Sequence, residues 1–216
     1  MLDEVFIIGA GGFAAEITEY IEDNNKKLNN KIKILGYFDI DDTQYKKYKF
    51  SSPFLGDERK YSFKDSDKII IAIGNLDLRK KVIKYFSNIN CNFYNFVHHT
   101  CMISQKAQIK EGNIFCPNII VGPNAKIDKF NVFNYNVSLP HDVEILENNI
   151  FSPYVQLTGF VKIGSNNLFG TQVVITPNIK IGDNNRVQAL SLIDRNLKNG
   201  HLVKMDSKKI KVPLYL

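Results

Sequence analysis

The 216-residue chain has no run of eighteen apolar residues, so no membrane-spanning helix is expected. Cysteine is scarce. Cys91, Cys101 and Cys116 make an odd count without metal-ligand spacing. That argues against a disulfide framework and for reduced thiols in a cytoplasmic protein. The opening Met1-Leu2-Asp3-Glu4 carries acid where a secretory leader would carry base, so secretion is not expected. No Lys/Arg run with interleaved aromatics suggests nucleic-acid binding, so a nucleic-acid partner is not expected. The net charge of +6 suits an anionic small molecule such as a nucleotide or coenzyme A, and is also ordinary for a soluble protein.

What is present is a period of six. From Val97 to Ile193 every sixth residue is apolar, through Ile109, Phe115, Ile127, Phe133, Ile145 and Phe151 among others. With close to half of residues apolar, chance gives such a series with a probability on the order of one in a million. Neither an α-helix nor a simple strand repeats every six residues. A triangular β-coil does, because each flat side takes six residues and points one large side chain inward. A period of eighteen lies on top, so that like residues stack on like, one coil above another, at about 4.8 Å. Ile109, Ile127, Ile145, Ile163 and Ile181 form one ladder, and Phe115, Phe133, Phe151 and Phe169 another. A third ladder is Asn113, Asn131, Asn149, Asn167 and Asn185, expected at a corner because Asn tolerates left-handed backbone. This is the hexapeptide signature of a parallel β-helix over residues 97–216.

Residues 1–96 lack this period and alternate strand with helix. Val5–Ile8 reads as a buried strand and Gly9-Ala10-Gly11-Gly12 as a turn. Phe13–Glu22 then reads as an amphipathic helix. Strands are predicted at Ile32–Tyr37, Lys68–Ile73 and Asn92–Val97, and a helix at Leu78–Phe86. The segment 41–66 is polar and turn-rich. The expected unit is a small, mostly parallel α/β sheet, Rossmann-like in its start. Ligands bind such sheets at the carboxyl ends of the strands. There Gly11 and Gly12 open backbone amides at a helix start to an anion, Asp39 can accept from a ribose or a base N–H, and Gly74 leaves room beside them. A complete dinucleotide-binding domain does not fit in so short a segment, so a nucleotide is expected rather than NAD.

A β-coil is a rod without deep pockets, so its ligands are expected in grooves between copies, which makes a homotrimer the natural unit. His141 is the coil's own histidine, and Pro123 and Gly159 occupy its position one coil away on either side, so the repeat does not impose it. An imidazole followed by Asp142 suits proton removal from an amine or hydroxyl; a surface corner histidine is the alternative. With no second histidine a coil away, a metal is not expected.

These residues together resemble the hexapeptide-repeat sugar O/N-acyltransferases, which group sialic-acid O-acetyltransferases with nucleotide-sugar 4-amino N-acetyltransferases. The resemblance spans nearly the whole chain. It rests on Gly9 to Phe13, Tyr37-Phe38-Asp39, Ile71 to Asn75 with Leu78-Arg79-Lys80-Lys81, the His141-Asp142 pair, Val161 to Gly164 and Pro177-Asn178. It implies a left-handed β-helix and acetyl-CoA as co-substrate without a metal. It implies a UDP- or dTDP-linked amino sugar held by Gly11, Gly12, Phe13, Asp39, Ile40 and Gly74. His141 would be the general base and Asp142 its partner, with backbone N–H groups stabilising the oxyanion. Ile150, Thr171 and Ala189 align with acetyl-CoA contacts between subunits of a homotrimer. The product would feed surface glycan synthesis. The chain departs from the family at Ile150, where many relatives carry a second histidine, at Gln188-Ala189-Leu190, where glycines are usual, and at Lys208 to Pro213. Loss of glycine narrows the expected groove for the pantetheine arm. The expected activity is N-acetylation of the 4-amino group of a UDP-linked sugar. O-acetylation of a free sugar such as a sialic acid, or a non-catalytic binding protein on this fold, are the alternatives.

Overall fold

The computed structural model describes residues 2–89 and 91–204. The departure read at Lys208 to Pro213 lies outside the described residues. The chain opens on β1 (Leu2–Ile8), α1 (Gly12–Lys27), β2 (Lys31–Phe38), α2 (Thr43–Tyr48), β3 (Phe54–Gly56), β4 (Lys68–Ile71), α3 (Leu76–Phe86) and β5 (Asn92–Phe93). The five strands form one parallel sheet in the order β3-β2-β1-β4-β5. Strand order reverses direction at β1, so a crevice opens between the carboxyl ends of β1 and β4.

Two segments differ from the sequence reading. The polar stretch 41–66 contributes α2 and β3, whose partner is β2. Short elements rich in Lys and Tyr owe their form to packing, here of Tyr45 against Phe54 and Phe50, rather than to a period. The strand expected at Asn92–Val97 is two. Asn92–Phe93 pairs with β4, whereas Phe96–Val97 pairs with Ile114–Phe115 and is the first rung of the coil.

The coil is a left-handed parallel β-helix with three faces. The first face holds Phe96–Val97, Ile114–Phe115, Val132–Phe133, Ile150–Phe151, Leu168–Phe169, Arg186–Val187 and Leu202–Val203. The second holds Met102–Ile103, Ile120–Val121, Ser138–Leu139, Gln156–Leu157, Val174–Ile175 and Leu192–Ile193. The third holds Gln108–Ile109, Lys126–Ile127, Glu144–Ile145, Lys162–Ile163 and Lys180–Ile181. The second residue of each pair points inward. Phe115, Phe133, Phe151 and Phe169 stack at centroid spacings of 4.9, 5.0 and 4.9 Å, all fully buried. Val97 breaks the inward series: it is exposed, because the first rung has no coil beneath it to close over it.

The Asn ladder does something other than expected. Asn113, Asn131, Asn149, Asn167 and Asn185 are fully buried and none has positive φ. The Oδ1 of each of the first four accepts from the backbone N–H of the next ladder residue, at 2.8–2.9 Å, and Asn185 Oδ1 accepts from His201 N at 2.8 Å, which staples coil to coil. The left-handed positions are a different series, every sixth residue from Asn118 to Leu190. It includes Asn124, Asn136, Asp142 and Asn148, each at a corner. A corner needs φ near +60°, and the residue just ahead of the ladder asparagine supplies it.

The outward residues differ by face. On the first, Ile114, Cys116, Val132 and Ile150 join one buried cluster with Ala14, Ile17 and Ile21 of α1, so the N-terminal unit sits on this face. The buried Arg79 of α3 adds a bond across the junction to the Phe130 carbonyl, 3.3 Å, and another to the Ile71 carbonyl. The third face presents Lys126, Glu144 and Lys162, with Lys162 Nζ 3.1 Å from Glu144. The second face exposes Met102 (69%), Ile120 (50%), Val174 (38%) and Leu192 (61%). No described helix is long and apolar enough to cross a membrane.

Candidate active site

A cavity of about 320 Å³ occupies the crevice at the strand ends. Its walls include Gly11, Gly12, Phe13, Asp39, Ile40 and Gly74, so all six residues singled out for the acceptor line one space. The turn before α1 is built for close approach. Gly9 has φ +105°, and a Cβ there would sit 2.8 Å from the Ala72 carbonyl oxygen. The N-cap, Gly11, makes no side-chain capping bond, and the first turn of α1 holds no acid. The helix therefore offers uncapped N–H groups and its positive end to the cavity. Asp39 is partly committed: Oδ2 accepts from Ala10 N at 2.9 Å and Oδ1 from Ile40 N at 2.8 Å. Those bonds hold the glycine turn against β2 and leave the remaining lone pairs free to accept. The sequence reading missed Glu58, Leu78 and Val82 on the same walls. Burial pushes the Glu58 carboxyl upward. Nothing in residues 41–66 marks Glu58, because a single 3₁₀ turn, Glu58–Lys60, carries it there.

His141 stands at the corner between the second and third faces. Its Nδ1–H donates to Asp142 Oδ2 at 2.9 Å. Asp142 is itself in the left-handed conformation, φ +59°, and its Oδ1 accepts from Asn124 Nδ2 at 3.1 Å. Asn124 lies one coil below. The hydrogen bond from His141, then that from Asn124, hold the Asp142 carboxyl below its usual range. With Nδ1 committed, Nε2 is the nitrogen able to accept a proton. The ring rests on Gly159, one coil above, where a Cβ would come within 2.6 Å of His141 Cε1. The Phe160 ring stands beside it, edge-on at 5.2 Å. The sequence places Gly159 one coil from His141 but gives it no role, and it does not single out Asn124 or Phe160, although the spacing of eighteen puts them there.

The three residues aligned with acetyl-CoA contacts do not share one place. Thr171 and Ala189 stack at the corner between the first and second faces, where Leu190 N donates to Thr171 O at 2.9 Å. Ile150 lies on the first face, buried beneath the N-terminal unit. A Cβ on Gly170 would meet Ala189 N at 2.4 Å, so the two coils are closely apposed here.

His98, His99 and the three cysteines have structural settings. His99 Nε2 lies 2.7 Å and His98 Nε2 3.4 Å from Asp23 Oδ2, which ties α1 to the first coil. Burial chiefly lowers the His98 pKa. Burial raises the Cys91 and Cys101 thiols to about 11, and that of Cys116 further, so all three are protonated at neutral pH.

Residues 4–86 match the PglD N-terminal domain. A comparison with curated proteins gave no match. Among solved structures, a variant of perosamine N-acetyltransferase from Caulobacter crescentus, in complex with CoA and GDP-perosamine, superposes with a TM-score of 0.80. It is 21% identical, over 92% of each chain. The acetyltransferase domain of PglB from Neisseria gonorrhoeae, in complex with acetyl coenzyme A, gives 0.77 at 17% identity, over 93% of this chain and 97% of that one. WeeI from Acinetobacter baumannii gives 0.54 at 15% identity, over 94% and 97%. Residues 4–86 thus match the PglD N-terminal domain, and the chain as a whole, with its left-handed β-helix, has the fold of these acetyltransferases.

Proposed function

We propose that the protein is an acetyl-CoA-dependent N-acetyltransferase whose acceptor is the 4-amino group of a nucleotide-linked amino sugar, UDP-linked in the first instance. The observation that carries this is the His141 seat: Nδ1 bound to Asp142, Nε2 directed away from it, at an exposed corner of the coil. Nε2 takes the proton from the acceptor nitrogen as that nitrogen bonds to the thioester carbonyl carbon. The C–S bond then breaks, the leaving sulfur takes the proton from Nε2, and coenzyme A departs as the thiol. Asp142 holds the tautomer and stabilises the imidazolium that forms. The glycine turn and uncapped start of α1 suit the diphosphate, and Asp39 suits a ribose or base N–H. The Caulobacter relative, solved with CoA and GDP-perosamine, supports the same pairing of ligands here.

A homotrimer completes this reading. The N-terminal unit covers the first face, and His141 stands at the opposite corner, so its own cavity and its own base share no wall. The second face separates His141 from Thr171 and Ala189 and carries the exposed apolar row. If three copies turn their second faces to a common axis, the His141 corner of one meets the Thr171–Ala189 corner of the next. Acetyl-CoA as donor fits a cytoplasmic enzyme, and an N-acetylated nucleotide sugar fits surface glycan synthesis.

The test follows thiol release from acetyl-CoA across UDP-, dTDP- and GDP-linked 4-amino sugars and free sialic acid, with the mass in solution measured alongside. Turnover with a nucleotide-linked amine, lost in His141→Ala, is the expected result. Turnover with the free sugar alone would replace it with O-acetylation, and a folded trimer inert toward every acceptor would favour a binding protein.

A further inference from the structure

We propose that Phe160 is a positioning residue for His141: its ring keeps the imidazole turned so that Nδ1 meets Asp142 and Nε2 faces outward. This rests on the reading of His141 as the base. Phe160 has φ +63°, in the left-handed region that bulky side chains rarely adopt. Its own corner is otherwise polar at this position, with Asn124 and Asp142 below and Asn178 above. The other aromatic residues in left-handed backbone have evident packing. Phe130 is buried against Phe93, and Tyr154 packs edge-on to Tyr135. Phe160 is 51% exposed, and its ring contact is the His141 imidazole, at 5.2 Å and 80°. An aromatic residue here works against both backbone preference and solvation, and strain of this kind gathers at functional sites.

The contact completes a seat. Asp142 fixes one edge of the imidazole through Nδ1, Gly159 forms its floor, and Phe160 stands along its side. An edge-to-face pair prefers one mutual orientation. Without the ring, the imidazole could swing off Asp142 into solvent, since His141 is half exposed. Asparagine at 160 would satisfy the corner and leave the side of the imidazole open.

The test compares Phe160→Asn and Phe160→Tyr in the full chain. In Phe160→Asn the thermal midpoint is expected to hold or rise, because Asn suits the backbone. In that variant kcat falls about tenfold while KM for acetyl-CoA and acceptor stays within about twofold. Phe160→Tyr keeps the ring and restores most of kcat. A second readout needs no substrate: with ¹⁵N-labelled histidine, the His141 Nδ1–H proton held by Asp142 exchanges with solvent faster in Phe160→Asn and keeps its wild-type rate in Phe160→Tyr. Wild-type kcat in Phe160→Asn, or unchanged exchange of that proton, overturns the proposal. If exchange speeds up but the wild-type protein acetylates nothing, the seat stands and the acetyltransferase reading falls.

Discussion

The two candidate regions are built on opposite principles. The cavity of the N-terminal unit is made largely of backbone: a glycine turn, a helix start and three strand ends brought together within one sheet. The His141 corner is made of side chains eighteen residues apart, with Asn124 below, His141 and Asp142 in the middle, and Gly159 and Phe160 above. Backbone sites tolerate side-chain change wherever a Cβ has space. Stacked corners do not, because each coil is the floor or roof of another. The cavity is complete within one chain, whereas the corner faces solvent and lies across the coil from its own N-terminal unit.

Substitutions sharpen that contrast. His141→Ala is expected to lower turnover roughly 10²–10⁴-fold with the fold intact; an unchanged rate would remove His141 from the chemistry. Phe133→Ala, which empties the middle of the Phe stack, should cost about 3–5 kcal/mol in chemical denaturation. A wild-type midpoint there would contradict the inward ladder. Gly159→Ala leaves an allowed backbone but drives a methyl into the imidazole, so about 10²-fold lower kcat with little loss of stability is expected.

The cavity side should separate into a costly and a cheap glycine. Gly9→Ala forces a side chain into φ +105° against Ala72, at about 1–3 kcal/mol, with loss of nucleoside diphosphate binding by calorimetry. Gly11→Ala meets nothing within 4 Å, so stability should stay within about 0.5 kcal/mol. If Gly9→Ala proved as mild as Gly11→Ala, the turn would not be the constraint described here.

Much of the coil was legible beforehand because its period is a local property repeated many times. Inward Phe and Ile ladders follow from six residues per side, and the structure stacks Phe115 to Phe169 accordingly. The Asn ladder shows where that reasoning stopped. The recurrence was visible, but a buried amide that staples coils and an amide that tolerates a left-handed corner leave the same mark in a sequence. The six residues that line the cavity together could be named because turn glycines and a strand-ending Asp have characteristic settings. Glu58, Leu78 and Val82 could not, since their places depend on how an irregular segment and α3 close over the sheet.

By itself the amino-acid sequence determined the coil, its rungs, its inner ladders and the strand–turn–helix start of the first unit. Each follows from short-range preferences: one apolar residue in six, or glycine where φ must be positive. Tertiary structure alone decided that α1 covers the first face, that Met102, Ile120, Val174 and Leu192 stay exposed on the second, and that His141 rests on Gly159 beside Phe160. Those outcomes depend on which surfaces exclude water together, and no local period encodes that choice.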